Sequence, residues 1–375
     1  MNPRSYLIAF VLVLSTACQE PLAVRPGSGN WMSGQRVAGP GGVSEITVMT
    51  QNLYVGADVD LVIRALGTPD PGDDFPALQF AIETVGKTDF PARVQAIAAE
   101  IARRGPHAVG LQEVSRINID LRPLGVPLVV DQDFLALLQA ALAERGLNYQ
   151  VAATSDNINV SLVGGLVRLV DHDALLVDAS RVTVNAASGQ AFSVNLGQVA
   201  PGVTLIRGWV FARTTIDGRA VTFASAHPEA NLAGAPVGLL EQIRAAQVGE
   251  MVARVGGGDE RVVLMGDLND VEGSPMYAVL AGAGYTDTWR AMHPGTEGLT
   301  CCHRADLSDQ VGSFDQRIDY VWTRGFARDN GTIQGSIDRF GAVPADRLTG
   351  PAYAIWPSDH AGLVAVLRLR HLPNR

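Results

Sequence analysis

Lysine is almost missing from this 375-residue chain: Lys87 is the only one, and arginine carries the rest of the fixed positive charge. With a formal net charge of −9, the chain offers no broad basic face of the kind that grips a nucleic-acid backbone. A local basic pocket stays open. Cysteine is scarce too, three residues in all, and no His or Cys group has the short paired spacing of a structural or catalytic zinc site. No stretch is long and apolar enough to cross a bilayer as a helix, and no internal repeat is visible. Charged residues make up only 18% against 47% hydrophobic, which excludes a disordered chain and provides for a large core.

What is present starts with an export pattern. Arg4, the apolar run from Tyr6 to Leu14 and the small residues Ser15-Thr16-Ala17 read as a signal peptide over residues 1–17. Cys18 follows at once, an arrangement similar to a bacterial lipoprotein signal, in which this cysteine is the lipid anchor. Ser15 stands where such signals carry a larger aliphatic residue, so ordinary cleavage and release is the alternative. Residues 18–44 are rich in Gly, Pro and Ser without apolar period and read as a flexible tether. The folded domain is expected over 45–370.

Within it, strand-like runs alternate with amphipathic helices. Ile46 to Thr50, His107 to Glu113, Val203 to Arg213, Ala220 to Ser225, Arg261 to Met265, Gln316 to Trp322 and Ala361 to Leu369 read as strands. Asp217-Gly218 marks a hairpin. Helices are expected over Pro76 to Val85, from Pro91, from Asp131, and over Pro236 to Val255, the last with Leu240, Ile243, Met251, Val252 and Val255 inward. Hairpins mixed with helices do not suit a purely parallel sheet. The expected fold is mixed α/β (α+β), with two packed mixed β-sheets flanked by helices.

Polar groups collect where the strands end. The apolar run Arg261 to Met265 delivers Gly266-Asp267-Leu268-Asn269-Asp270, and other exits present Asn52, Glu113, His227, Asp319, Asp359 and His360. One such residue usually serves only its own turn. A whole set at separate strand ends is not something a packed core requires. Carboxylate and amide oxygens are hard ligands suited to Mg²⁺, and the histidines can exchange a proton near neutral pH.

Thr50-Gln51-Asn52, Leu111-Gln112-Glu113-Val114, Ser225-Ala226-His227, Gly266-Asp267-Leu268-Asn269, Arg317-Ile318-Asp319-Tyr320-Val321 and Ser358-Asp359-His360, in that order, make the chain resemble the endonuclease/exonuclease/phosphatase superfamily. That resemblance implies a four-layer, deoxyribonuclease-I-like sandwich and hydrolysis of phosphate esters with Mg²⁺ or Mn²⁺. It implies Glu113, Asn52 and Asp359 as the metal site and Asp267 as the group that orients or deprotonates water. Asn269 would hold a phosphate oxygen, His360 paired with Asp319 would stabilise phosphate charge, and His227 would lie near the leaving group. Arg207 falls where some members bind phosphate; it also reads as a surface arginine beside a strand. Asp173 stands where nuclease members often have an aromatic or amide residue, a departure that counts against nucleic acid, although His172 and Asp173 also read as an ordinary strand start.

Adjacent Cys301 and Cys302 read as a vicinal disulfide stiffening the loop before Asp319, with free thiols or a Cys301-Cys302-His303 metal site as alternatives. The functional expectation is an exported metal-dependent phosphodiesterase, monomeric, acting on a phospholipid or other small phosphodiester. An extracellular nuclease and a phosphomonoesterase are alternatives. A non-catalytic binding module would lack acidic ligands, and here all are present.

Overall fold

The computed structural model describes residues 44–232, 234–256, 261–327, 332–349 and 354–369. The expected signal peptide, Cys18 and the expected tether up to residue 43 lie outside them.

Two sheets stack face to face. The larger runs, edge to edge, through Gly335–Phe340, Gly362–Leu369, Ser44–Asn52, Ala108–Gln112, Val167–Asp178, Tyr149–Leu162, Val203–Leu205 and Gly197–Ala200, with the short pair Arg116–Asp120 and Val129–Asp133 attached to Val167–Asp178. The smaller runs Thr286–Asp287, Asp319–Arg324, Arg261–Asp267, Arg219–His227, Gly208–Ile216 and Thr183–Ala191. Both are mixed: Ser44–Asn52 pairs parallel with Ala108–Gln112 and antiparallel with Gly362–Leu369. Both faces of the central strands are covered, so their apolar runs are continuous. In Arg261–Asp267, Val263 and Met265 face the core between the sheets, whereas Val262 and Leu264 join the core beneath the helices Leu239–Val255 and Pro275–Gly282. A third core lies under Phe90–Arg104 and Phe134–Glu144 on the other side. Helix, sheet, sheet and helix make the expected four layers, the deoxyribonuclease-I-like fold.

Local chemistry sets the boundaries. Helix Phe90–Arg104 starts because the Asp89 carboxylate accepts the Ala92 N–H with Pro91 in the first turn, and it ends at left-handed Gly105. Asp217 and Gly218 both have positive φ, as a tight two-residue hairpin needs.

Three expectations need correction. Val203 to Arg213 is two strands in different sheets: the Ile206 N–H still follows the larger-sheet ladder to Asn157 O, but the Arg207 N–H goes to the Asn195 side chain, and from Gly208 the chain pairs in the smaller sheet. The helix expected from Asp131 begins at Phe134; Asp131 is in Val129–Asp133, and Asp133 caps the helix. Helix Leu239–Val255 buries Arg244 and Gln247 along with Leu240, Val248, Met251 and Val255, leaving Ile243 and Val252 half-buried. The polar pair turns inward because it has partners there: Arg244 meets Asp270 at 3.0 Å, and Gln247 accepts the Glu229 N–H at 2.8 Å.

Arg93 ties the helical layer to the strand ends. Fully buried, it donates to Thr88 O, Leu53 O, Tyr54 O and Pro357 O at 2.5–3.1 Å. Burial pushes its guanidinium down to about 10, opposed by the nearby Tyr54 and Asp359. It thus joins the exit after Asn52 to the turn before Asp359, which lie 40 and 264 residues from Arg93 in the chain. Replacement Arg93→Met would leave four buried carbonyls without these donors, at roughly 1–3 kcal/mol per unsatisfied group before relaxation. The expected loss is at least about 3 kcal/mol of unfolding free energy, read from urea denaturation; a loss below about 1 kcal/mol would show that the carbonyls find other partners.

Candidate active site

Sheet register brings the polar exits to one end of the sandwich. Asn52 lies opposite Gln112 in the larger sheet, and Glu113 follows directly. In the smaller sheet Asp267 pairs with Asp319, and His227 pairs with Gly208, the residue after Arg207. Backbone strain accompanies the convergence: Tyr54, Glu113 and Asn269 all have left-handed φ near 55° (58°, 53° and 53°), a conformation costly for such residues and concentrated at functional sites. Gly266 has φ 145°, and a Cβ there would sit 2.1 Å from Ala226 O, so the residue before Asp267 has to be glycine.

Asn52 links the sheets through its side chain. Its Nδ2 donates to Glu113 Oε1 at 3.0 Å and to Asp267 Oδ2 at 3.1 Å, and its Oδ1 accepts the Tyr54 N–H at 2.8 Å. The Val55 N–H donates to Glu113 Oε2 at 2.8 Å. Asp359 lies in the same cavity, and its neighbour Ser358 donates to Asn52 O at 2.6 Å. Burial first, and the facing Glu113 charge next among the raising influences, push Asp359 up to about 7, with His360 opposing. Two carboxylates that repel each other across a cleft suit a divalent cation, whose charge removes that repulsion.

Asp267 sits between two imidazoles. Its Oδ2 is 3.7 Å from His227 Nε2 and 3.8 Å from His360 Nδ1. His360 Nδ1 is bonded to Asp319 Oδ2 at 2.9 Å. Burial alone would push His360 down, but Asp319, followed by Asp267 and Asp359, outweighs it and holds the imidazole well above the usual histidine range. His227 goes the other way: burial, then the Arg207 and His360 charges, push it well below that range. At neutral pH His360 is therefore charged and His227 neutral. Asp267 is itself pushed up to about 6, by burial and then Asp319, with His360 opposing, close to the operating range of a general base.

The remaining site candidates fall into two groups. Asn269 donates its backbone N–H to Asp267 Oδ1 and its Nδ2 to Pro228 O. Arg207 is buried, not a surface arginine, with Nη1 3.3 Å from His227 Nδ1 and Nε 3.4 Å from Glu229. Asp173 is fully buried behind His227, 3.7 Å from its Nδ1. Burial and the neighbouring Asp171 push Asp173 well above the carboxylate range, so this contact is between neutral groups. His172 contacts Val114 O, away from the cavity. Cys301 and Cys302 are joined through their sulfurs across a cis peptide, and Cys302 Sγ lies 3.9 Å from His360 Nε2. Both His303 nitrogens are engaged, by Asp309 and by Gly341 O. Sequence reading missed Arg93, Glu229 and Arg244. Glu229 lies two residues after His227, and that proximity was the available signal.

The sequence model of the Endonuclease/Exonuclease/phosphatase family matches residues 49–360, a span that runs from the first site strand to His360. The chain belongs to the endonuclease/exonuclease/phosphatase family. It is a phosphoester hydrolase, and enzymes of this family depend on a divalent metal ion. No curated protein matches the chain in sequence. Among solved structures, a family member from Leptotrichia buccalis superposes with TM-score 0.53 at 13% identity, covering 86% of this chain and 100% of its own. A mannosyl-6-phosphatase from Bacteroides thetaiotaomicron gives 0.51 at 16% identity, with 86% and 99% covered. The human nocturnin catalytic domain, with bound sulfate, gives 0.51 at 16% identity, with 86% and 93% covered. These likenesses show the fold.

In this family member the Asp319–His360 pair is open to direct measurement. Asp319→Asn keeps the shape and removes the charge that outweighs burial, so the His360 pKa falls in an NMR titration, and the basic limb of the pH–rate profile moves to lower pH. A histidine with a raised folded pKa contributes stability that is full below its unfolded value of about 6.5 and is lost as pH rises through the folded value. Any stability lost in Asp319→Asn is therefore largest at low pH. An unchanged His360 pKa in the variant would sink the pairing.

Proposed function

We propose that the enzyme is an exported, divalent-metal-dependent phosphodiesterase that cleaves its substrate by attack of an activated water. The observation that carries this reading is Asp267 held between a neutral and a charged imidazole, beside the carboxylates of Glu113 and Asp359. Glu113 and Asp359 would hold Mg²⁺ or Mn²⁺. Asn52 supports that site by fixing Glu113 and Asp267, and its oxygen, which accepts the Tyr54 N–H, keeps a second lone pair for the ion. When bound, the ion supplies a Lewis acid that neutralises charge on the phosphate.

Asp267 orients water and takes its proton. A P–O bond forms to the water oxygen, the bond to the leaving oxygen breaks, and the leaving oxygen departs with the bonding electron pair and is protonated from solvent, to which Asp267 returns the proton it took. Asn269 Nδ2, protonated His360 and Arg207 stabilise the charge that develops on the phosphate oxygens. Neutral His227, held by Arg207, is placed to exchange a proton with a substrate oxygen. A diester suits this cavity better than a monoester, because a monoester brings a second negative charge to a lining already rich in carboxylates.

Glu113→Gln and Asp267→Asn are each expected to lower kcat by roughly a thousandfold or more while leaving the fold intact. Glu113→Gln also weakens Mn²⁺ binding at least tenfold by calorimetry. Assays of a chromogenic diester, a chromogenic monoester and plasmid DNA in parallel separate the three activities. Near-normal turnover by either variant at saturating metal would reject its assigned role.

Export rests on Arg4, the apolar run Tyr6 to Leu14 and Cys18. If Cys18 is acylated, Cys18→Ser moves the protein from the membrane fraction to the soluble periplasmic or extracellular fraction, because the acyl chains supply the anchoring energy. Unchanged fractionation would show that Cys18 is not the anchor.

A further inference from the structure

The cavity over the polar cluster holds about 320 Å³, the lower end of the range for small-molecule sites. Besides that cluster its lining includes the aliphatic side chains of Val59, Ile63, Ile158, Leu205 and Leu232. A second cavity, of about 70 Å³, shares Val55, Ala57, Val59 and Ile63 with the first. Its further lining comes from helix Asp74–Thr88 and the larger sheet, including Leu78, Ala81, Ile82, Ile117, Val160 and Val203. Such a pocket has no use for a phosphate, a sugar or a base edge. Buried against it, an alkyl group would gain the full benefit of leaving water.

Charge narrows the class further. Asp58, Asp60, Glu229, Glu113, Asp267 and Asp359 all line the main cavity. Among its described lining residues Arg207 is the only arginine or lysine, and Arg207 is already engaged by Glu229 and His227. One phosphate can be met by Asn269, by Arg207 and by the divalent ion that Glu113 and Asp359 would hold. A strand carrying a phosphate on each side of the scissile one would set its flanking charges against carboxylates with no cation to meet them.

Building on the phosphodiesterase reading above, we propose that the substrate is a single phosphodiester bearing an alkyl chain. Its phosphate lies on the Asp267–His360 cluster, and its first carbons run along Val59 and Ile63 into the aliphatic pocket. That pocket, about 70 Å³, has room for only a short run of carbons.

The test is a series of p-nitrophenyl alkyl phosphates, methyl through hexyl, given to the purified full chain with saturating Mg²⁺. Water adds across the P–O bond to the aryl group, giving p-nitrophenol and the monoalkyl phosphate, so the chain under test stays on phosphorus. The expected result is a rise in kcat/KM of roughly fourfold per buried methylene, hence about sixteenfold to sixtyfold from methyl to butyl for two or three buried methylenes, and then a plateau once the pocket is full. Ala81→Val, which puts two methyl groups into the pocket, is expected to bring the butyl-to-methyl ratio down toward one. Should that variant fail to fold, the series in the parent still decides.

Turnover of the methyl ester with no dependence on chain length would overturn the alkyl pocket and leave the phosphodiesterase reading standing. Faster cleavage of an oligonucleotide than of the butyl ester would overturn it as well. Turnover of p-nitrophenyl phosphate with none of any diester would remove the phosphodiesterase reading, and the alkyl-diester proposal with it.

Discussion

A single side-chain amide joins the two halves of the site. Asn52, at the end of a strand in the larger sheet, donates to Glu113 beside it and to Asp267 in the facing sheet. Each carboxylate is held by a donor that is itself fixed, because the Asn52 oxygen is anchored by the Tyr54 N–H and its carbonyl by Ser358. Displacing one sheet against the other would break these bonds in a buried place, where water cannot replace them at once. Arg93 guards the same junction from the helical side by taking up the carbonyls of Leu53, Tyr54 and Pro357. The alignment of the two sheets is thus coupled to the geometry of the polar cluster at their end.

Burial makes that centre reactive. Asp267, Asp319 and His360 are nearly without contact with solvent, so their charges act on each other with little screening. The two histidines respond in opposite senses. His360 faces Asp319, Asp267 and Asp359 and keeps its proton, whereas His227 lies against Arg207 and a neutralised Asp173 and loses its own. One residue type thus gives both a cation and a neutral imidazole within one cluster, and the neighbours alone decide which is which.

Much of this was legible in the chain. The strand Arg261–Asp267 announces itself by a β-branched apolar run closed by a glycine and polar groups, and helix Phe90–Arg104 by its cap, its proline and its stripe of Val94, Ile97, Ala98 and Ile101. Less legible were features where side chains take over backbone duties. Asn195 capping the Arg207 N–H split one apparent strand into two, and Arg244 and Gln247 turned a helix face that apolar period alone assigns to Ile243 and Val252. Such partners come from distant parts of the sequence, and local pattern carries no trace of them.

The residue types and their order along the chain therefore determined the class of fold, the identity of the polar strand exits and the kind of chemistry they allow. Side-chain chemistry and a period of two or 3.6 are local properties, so the sequence displays them directly. Tertiary structure alone decided that Asn52 reaches both Glu113 and Asp267, that Arg207 is buried against His227, that the two histidines differ in charge, and that an aliphatic pocket adjoins the polar cavity. Each of these depends on which distant groups come together and on how far water is excluded from between them, and both are properties of the packed sheets.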